Sequence, residues 1–206
     1  APAAMSSLGF LSAAGYAAIG LVYAVVVGFG VAQAGFDEPI GDPVLWIMEL
    51  LTLVSAPLVV ILMAAIHAGA EAGRRVFGLL AVSFSTAFAT LTCAVHFLLL
   101  TVGRQTGVAV LEWPSLPYAI ELLAWDGFLG LSLLFAGAVF SGPGRGARIR
   151  WMLWLSGGLC LAGLAGPLSG NMALQRPGIL GYAIVLPVTC VLLALHFRGG
   201  VSAGKR

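Results

Sequence analysis

Six apolar stretches fill most of the 206-residue sequence. A bilayer core about 30 Å thick requires a spanning helix of roughly 20 residues at 1.5 Å of rise each, and each stretch reaches that length. Because only 9% of the residues are charged and the mean hydropathy is +1.05, little sequence remains for a soluble domain. The sequence therefore predicts an all-α fold, a six-transmembrane-helix bundle forming one integral membrane domain, with helices at about 8–32, 44–69, 76–103, 118–141, 151–170 and 179–197.

The distribution of basic residues predicts how the bundle is oriented. Eight of the ten Lys and Arg residues lie after spans two, four and six, and two lie on the opposite side. Because cytoplasmic loops are enriched in Lys and Arg, we expect both termini in the cytoplasm of a bacterial-type plasma membrane. The acidic first loop with Asp37, Glu38 and Asp42 then faces outward, together with Glu112.

Several classes of protein are excluded by composition. A net charge of +2, with the basic residues confined to short loops, gives no face for nucleic acid. Three separated cysteines inside predicted spans form neither a disulfide framework nor a metal motif. The expected partners are the lipid bilayer and a small hydrophobic or amphipathic ligand, and no metal or other cofactor is predicted.

Small residues and prolines predict close helix packing. Gly20, Ala24 and Gly28, and likewise Gly166 and Gly170, recur every four residues, which lets helix backbones approach closely. We expect these ridges mainly inside the bundle, although the sequence leaves a homo-oligomer open. Pro57 and Pro187 fall in mid-span, where each should kink its helix or free a backbone carbonyl.

Ionisable residues inside the spans are the main functional signal. Glu49, His96, Glu121 and Asp126 lie on three spans at estimated depths of roughly 5 to 12 Å below the outer surface. A charged side chain at mid-bilayer costs roughly 2.5 to 3.5 kcal/mol, so such residues normally face the bundle interior and find partners. We expect these four candidate catalytic residues to line a polar cavity.

Helical spacing predicts which of these groups share a face. Thr92 precedes His96 by four residues and lies on its stripe, and Glu121 shares a face with Trp125. Asp126 points about 140° away from Glu121 on a regular helix. We therefore expect only one of the two carboxylates at the deeper site, and we favour Asp126 because Glu121 is close enough to the surface to reach water.

Aromatic residues near the outer surface are the candidate substrate-binding side chains. Trp125 is deep enough to line a pocket, whereas Trp46 and Trp113 lie closer to the interface. Thr92 completes this set of substrate-binding candidates. The connection from residue 104 to residue 117 is the longest on this side, and it is a candidate lid over the cavity.

His67 and His196 lie at similar depth near the cytoplasmic edge and raise the question of a shared haem or metal. A position beside the basic membrane edge explains both residues without a ligand, because imidazole reaches headgroups or water there. A serine hydrolase is also disfavoured, because Ser169 and His196 lie at opposite ends of their spans. Retinal chemistry is excluded by the lack of any lysine other than Lys205.

These observations predict a membrane enzyme that acts on a small lipid-soluble substrate. Asp126 or Glu49 would serve as general acid or base with His96 as partner, in an isomerisation, cyclisation or hydrolysis. Two alternatives remain open. The same groups would bind a proton or cation in a transporter or channel, or they would only join helices in a structural or sensor subunit.

Overall fold

The computed structural model describes residues 2–35, 38, 40–106 and 112–203, and this part of the chain is helical without a strand. Within these residues, six helices are long and apolar enough to cross a membrane. We number them α1 (Ala4–Ala34), α2 (Val44–Ala68), α3 (Ala72–Thr106), α4 (Leu116–Val139), α5 (Arg145–Ser169) and α6 (Met172–Gly199). A backbone in lipid must satisfy its own polar groups, and continuous helices do so. The sequence prediction of six long, apolar helices is confirmed.

The predicted helix bounds are too short at most ends. α3 begins four residues before the predicted start and extends three residues beyond the predicted end, and α5 begins six residues early at Arg145. In α3 and α5 these ends carry Arg74, Arg104 and Arg145, whose long stems let the charge reach the membrane edge while the backbone stays helical. The hydropathy pattern therefore predicts the membrane core of each helix better than its ends.

The two ends of the bundle are tied by arginine side chains. At the end that carries the termini, which we call the proximal end, Arg74 donates to the Ala138 carbonyl at 2.6 Å and Arg145 to the Leu195 carbonyl at 3.3 Å. Both carbonyls lie near helix C-termini, where a cation is favourable. At the opposite, distal end, Arg104 of α3 pairs with Asp42 in the first connection.

Each span contains α-helix, and three of them also contain π-helical turns. These are Leu99–Gly103 in α3, Leu123–Leu129 in α4 and Gly181–Val185 in α6. The α-helical parts include Arg75–Leu98 in α3 and Leu116–Leu122 and Gly130–Val139 in α4. In α6 the α-helix starts at Leu186 and runs past Gly199 to Ala203. Short 3-10 turns, Ala72–Arg74 and Met172–Gln175, begin α3 and α6. π-Turns inside helices are frequent at functional sites.

The glycine ridges have different surroundings in the fold. A Cβ at Gly20 would lie 3.0 Å from the ring of Pro187, and one at Gly166 would lie 2.6 Å from Gln175 Cβ. These two glycines therefore allow α1 to pack on α6 and α5 on the start of α6. Gly28 has open space at its Cβ position, and Gly170 ends α5 with a φ of +72° that favours glycine.

Candidate functional site

A histidine bridged by two carboxyl groups lies inside the distal half of the bundle. His96 of α3 contacts Glu49 of α2 through Nδ1 and Glu121 of α4 through Nε2, the latter at 2.7 Å. The three side chains are nearly inaccessible, with 5%, 8% and 10% of their surfaces exposed for His96, Glu49 and Glu121. Each comes from a different helix, so the contact joins α2, α3 and α4. We call these three residues the acid–base centre.

Local sequence explains how Glu121 reaches His96. Ser115 caps α4 by accepting a hydrogen bond from the Tyr118 amide at 3.3 Å, and Pro117 follows inside the first turn. The start of α4 is thereby fixed, and Glu121 lies five residues further along. Leu116–Leu122 is regular α-helix, so Glu121 leaves α4 on the face that packs against α3.

Trp125 completes the centre from the following turn. Its indole Nε1 donates to Glu121 Oε1, the oxygen that also contacts His96. The indole ring packs edge-on against Phe88, with centroids 4.8 Å apart, and contacts Tyr182 of α6 at 4.9 Å. Trp125 is therefore held by both neighbouring helices in an orientation that supports a negative charge on Glu121.

Two buried polar atoms of this region lack a hydrogen-bond partner within the described residues. They are Glu121 Oε2 and Thr92 Oγ1, and Thr92 is fully buried one helical turn from His96. An unpaired polar atom in a low-dielectric interior is costly, typically by about 1 to 3 kcal/mol. Such atoms are suited to bind a polar group of a ligand.

Asp126 lies apart from the acid–base centre, which corrects the preference for Asp126 over Glu121 as the partner of His96. Its Oδ2 accepts a hydrogen bond from Gln175 Nε2 of α6 at 3.1 Å. Gln175 Nε2 also lies 3.3 Å from the Tyr182 hydroxyl. The predicted divergence of the two carboxylates holds, but the face of α4 that meets α3 carries Glu121, and the opposite face meets α5 and α6.

Two glycines bring α5 and α6 against the Asp126 carboxyl group. A Cβ at Gly163 would lie 2.8 Å from Asp126 Cγ, and one at Gly178 would overlap Oδ1. Asp126 is fully buried, and Oδ1 has no conventional partner in the described part of the chain. The sequence did not indicate this contact, because Gln175 and Gly178 lie before the predicted start of the sixth span at residue 179, and only Gly163 lies inside a predicted span.

Cys93 has an unexpected role beside the centre. Pro57 lacks the backbone N–H that would bond to the Leu53 carbonyl four residues earlier. The Cys93 thiol of α3 donates to this carbonyl at 3.8 Å. Pro57 therefore frees a carbonyl as predicted, and a cysteine on the neighbouring helix occupies it.

The other predicted ligand-binding residues lie outside this cluster. Trp46 is 43% exposed on the surface of α2, and Trp113 is half-buried before the start of α4. Residues 107–111 of the candidate lid, Asp37 of the acidic loop, and Lys205 and Arg206 of the tail lie outside the described residues. Ser132 of α4 donates to the Ala81 carbonyl of α3 at 2.8 Å.

The two proximal histidines contact different parts of the fold. His67 Nδ1 lies 3.2 Å from the Arg75 carbonyl oxygen, and its backbone packs against Gly78 of α3. His196 contacts Phe140 edge-on at 5.6 Å. Groups of three or more metal-binding side chains do not occur within the described ranges.

Comparisons with protein-family models, with curated proteins and with solved structures gave no match. The fold and the site define the class directly. The chain is a helical protein with six helices able to span a membrane, and a buried Glu–His–Glu cluster joins three of them.

Proposed function

We propose that the protein is an integral membrane enzyme that performs acid–base chemistry on a small lipid-soluble substrate at the acid–base centre. The observation that carries the proposal is the contact of both imidazole nitrogens with a carboxyl oxygen. A neutral imidazole has one N–H donor and one acceptor nitrogen. With one carboxyl group protonated and the other ionised, both contacts are hydrogen bonds.

This arrangement supports proton transfer between the two carboxyl groups. When Glu49 gives its proton to Nδ1, the proton on Nε2 passes to Glu121, and the imidazole is neutral before and after. Glu49 becomes the carboxylate, Glu121 becomes the acid, and the summed charge of the three groups is unchanged. Constant charge matters here, because an additional charge is costly within a bilayer.

Glu121 is the group that would act on the substrate. Its Oε2 is free of hydrogen bonds from the described residues, and Thr92 Oγ1 offers a second polar contact one turn from His96. Glu121 would remove or donate a proton at the substrate, with His96 and Glu49 restoring its protonation state. Isomerisation, cyclisation and hydrolysis all use such a pair of proton transfers.

Isotope incorporation tests the proposal without knowledge of the substrate. Purified protein is reconstituted in vesicles of total bacterial lipid extract and incubated in D₂O or H₂¹⁸O, and the lipids are analysed by mass spectrometry. We expect deuterium from isomerisation or cyclisation, or ¹⁸O from hydrolysis, in one lipid class. Glu121→Gln and His96→Ala should abolish incorporation. Thr101→Ala should retain it, because Thr101 is half-buried on α3 and its hydroxyl donates to the Phe97 carbonyl at 2.6 Å rather than to the acid–base centre.

A proton-linked transporter is the second candidate, and Asp126 is the observation that favours it. A fully buried carboxyl group whose described partner is an amide, and not a cation, is typical of a proton-binding site in a membrane. In vesicles loaded with a pH dye, a transporter would show flux that Asp126→Asn abolishes, with no isotope in the lipids. If neither signal appears and these variants only lower thermal stability, the cluster is structural.

A further inference from the structure

An apolar groove lies between α2 and α3 on the surface of the bundle. It is a shallow, open depression of about 450 Å³, lined by Pro57 and Ile61 of α2 and by Ala89, Thr90 and Cys93 of α3, among others. The Thr90 hydroxyl bonds to the Thr86 carbonyl at 2.8 Å, so its methyl group is left for the groove. None of the four predicted catalytic residues lines it.

The groove begins one helical turn from the acid–base centre. Cys93 precedes His96 by three residues, and its bonding partner Leu53 follows Glu49 by four residues. At 1.5 Å per residue, these steps are about 5 to 6 Å along the helices. From Cys93 the groove extends to Thr86, about 10 Å further toward the middle of the membrane. Along the helix axes, the groove therefore runs from just below the level of the acid–base centre toward the middle of the membrane.

We propose that this groove holds a hydrocarbon chain of the substrate, so that the substrate is a long-chain lipid of the distal leaflet. This inference rests on the proposed function. A lipid of that leaflet has its polar end toward the distal surface and its chain toward the midplane, which is the direction from the acid–base centre along the groove. With the chain in the groove, the polar end lies at the level of Glu121 Oε2 and Thr92.

The groove would determine the position of the hydrocarbon chain more than it would contribute to the binding free energy. Lipid tails are as apolar as the helix surface, so transferring a chain from bilayer to groove provides no hydrophobic free energy. Any preference for the groove must therefore come from shape complementarity, because Pro57 and Ala89 leave space that larger side chains would fill. Filling the groove should therefore remove occupancy without destabilising the fold.

A pair of matched substitutions on α3 tests the proposal. Thr90→Phe fills the groove. Ser83→Phe places the same ring seven residues earlier, on the same helix face, and both hydroxyls bond to the carbonyl four residues before them, at 2.8 Å and 3.0 Å. The probe is phosphatidylcholine carrying a diazirine in one acyl chain, in phosphatidylcholine vesicles, with crosslinked peptides measured by mass spectrometry.

We expect wild type and Ser83→Phe to crosslink preferentially in the peptide containing residues 86–93, relative to the exposed α1 surface at Leu21 and Val25. Thr90→Phe should lose this preference. The proposal is overturned if wild type labels both surfaces equally or if Thr90→Phe keeps the preference. Should Thr90→Phe not fold, Ile61→Trp fills the groove from α2, and Val54→Trp is its control seven residues earlier.

The outcomes separate this inference from the proposed function. Crosslinking requires no proton transfer, so Glu121→Gln should keep the preferential label while it loses isotope incorporation. Isotope incorporation without preferential crosslinking would support the enzymatic function and contradict lipid binding in the groove. Preferential crosslinking without isotope incorporation would support lipid binding in the groove and contradict the enzymatic function.

Discussion

His96 differs from the other two histidines in what its ring contacts. Both of its nitrogens meet carboxyl groups from other helices, whereas His67 meets a backbone carbonyl and His196 an aromatic ring. Two buried carboxyl groups facing each other without the imidazole would be left with unfavourable electrostatics. The stability of this region therefore depends on a single side chain.

Replacing His96 with alanine should lower the free energy of unfolding by roughly 3 kcal/mol or more, because it removes a hydrogen-bond partner from two buried carboxyl groups, one of them ionised. His196→Ala should cost less than about 1 kcal/mol, as expected for a side chain at the bundle surface. Unfolding in mixed detergent micelles, followed by circular dichroism, measures both values. Equal losses for the two variants would contradict the buried contacts of His96.

Between helices, side chains donate hydrogen bonds to backbone carbonyls that a proline or a π-helical turn leaves without a partner in their own helix. Cys93 donates to the carbonyl freed by Pro57, and Ser156 donates to the Gly181 carbonyl at 2.8 Å, where α6 turns π-helical. In lipid there is no water to satisfy such groups. Each bond thus fixes one helix against another.

A double-mutant cycle should detect the coupling of Pro57 and Cys93. Cys93→Ala leaves the Leu53 carbonyl without its donor in wild type, but in a Pro57→Ala background the new backbone N–H bonds to it instead. We expect a coupling of about 0.6 kcal/mol, the average for interhelical hydrogen bonds in membranes. The four proteins are compared by unfolding in micelles. A coupling of zero would show that the thiol does not serve this carbonyl.

Contact of Asp126 with α5 should make Gly163 intolerant of a larger side chain. Gly163→Ala would place a Cβ 2.8 Å from Asp126 Cγ, and overpacking of this kind costs about 1 to 3 kcal/mol. Gly158→Ala on the same helix meets open space and should be neutral or stabilising. Thermal unfolding of the two variants in detergent checks this difference. Adding Asp126→Ala to Gly163→Ala should recover part of the loss; no recovery would place the strain elsewhere.

In the molecule as a whole, the buried acid–base centre and the arginines that tie helix ends to each other near the termini lie in opposite halves. The acid–base centre lies in the distal half, and the helix ends at the proximal end are tied by Arg74 and Arg145. Basic residues are retained in the cytoplasm during insertion. The same asymmetry that orients the chain therefore predicts that the acid–base centre lies in the outer leaflet.

Labelling with a membrane-impermeant maleimide should report this orientation. Glu112→Cys at the distal end should react on intact bacterial cells, and Glu71→Cys at the proximal end should react only after lysis. Both positions are exposed in the fold, and the native cysteines are buried or half-buried in the spans. The reverse pattern would contradict the predicted cytoplasmic location of the termini.

The six helices and the ionisable residues that are costly in lipid can be predicted from the sequence, because both follow from the transfer of side chains out of water. The divergence of Glu121 and Asp126 can be predicted as well, since residues five apart on a helix lie on different faces. Which of the two meets His96 depends on the rotation of α4 against α3, and therefore on the tertiary structure. The pairing of Cys93 with Leu53, and of Asp126 with Gly163 and Gly178, likewise arises from packing between helices that no spacing along one helix encodes.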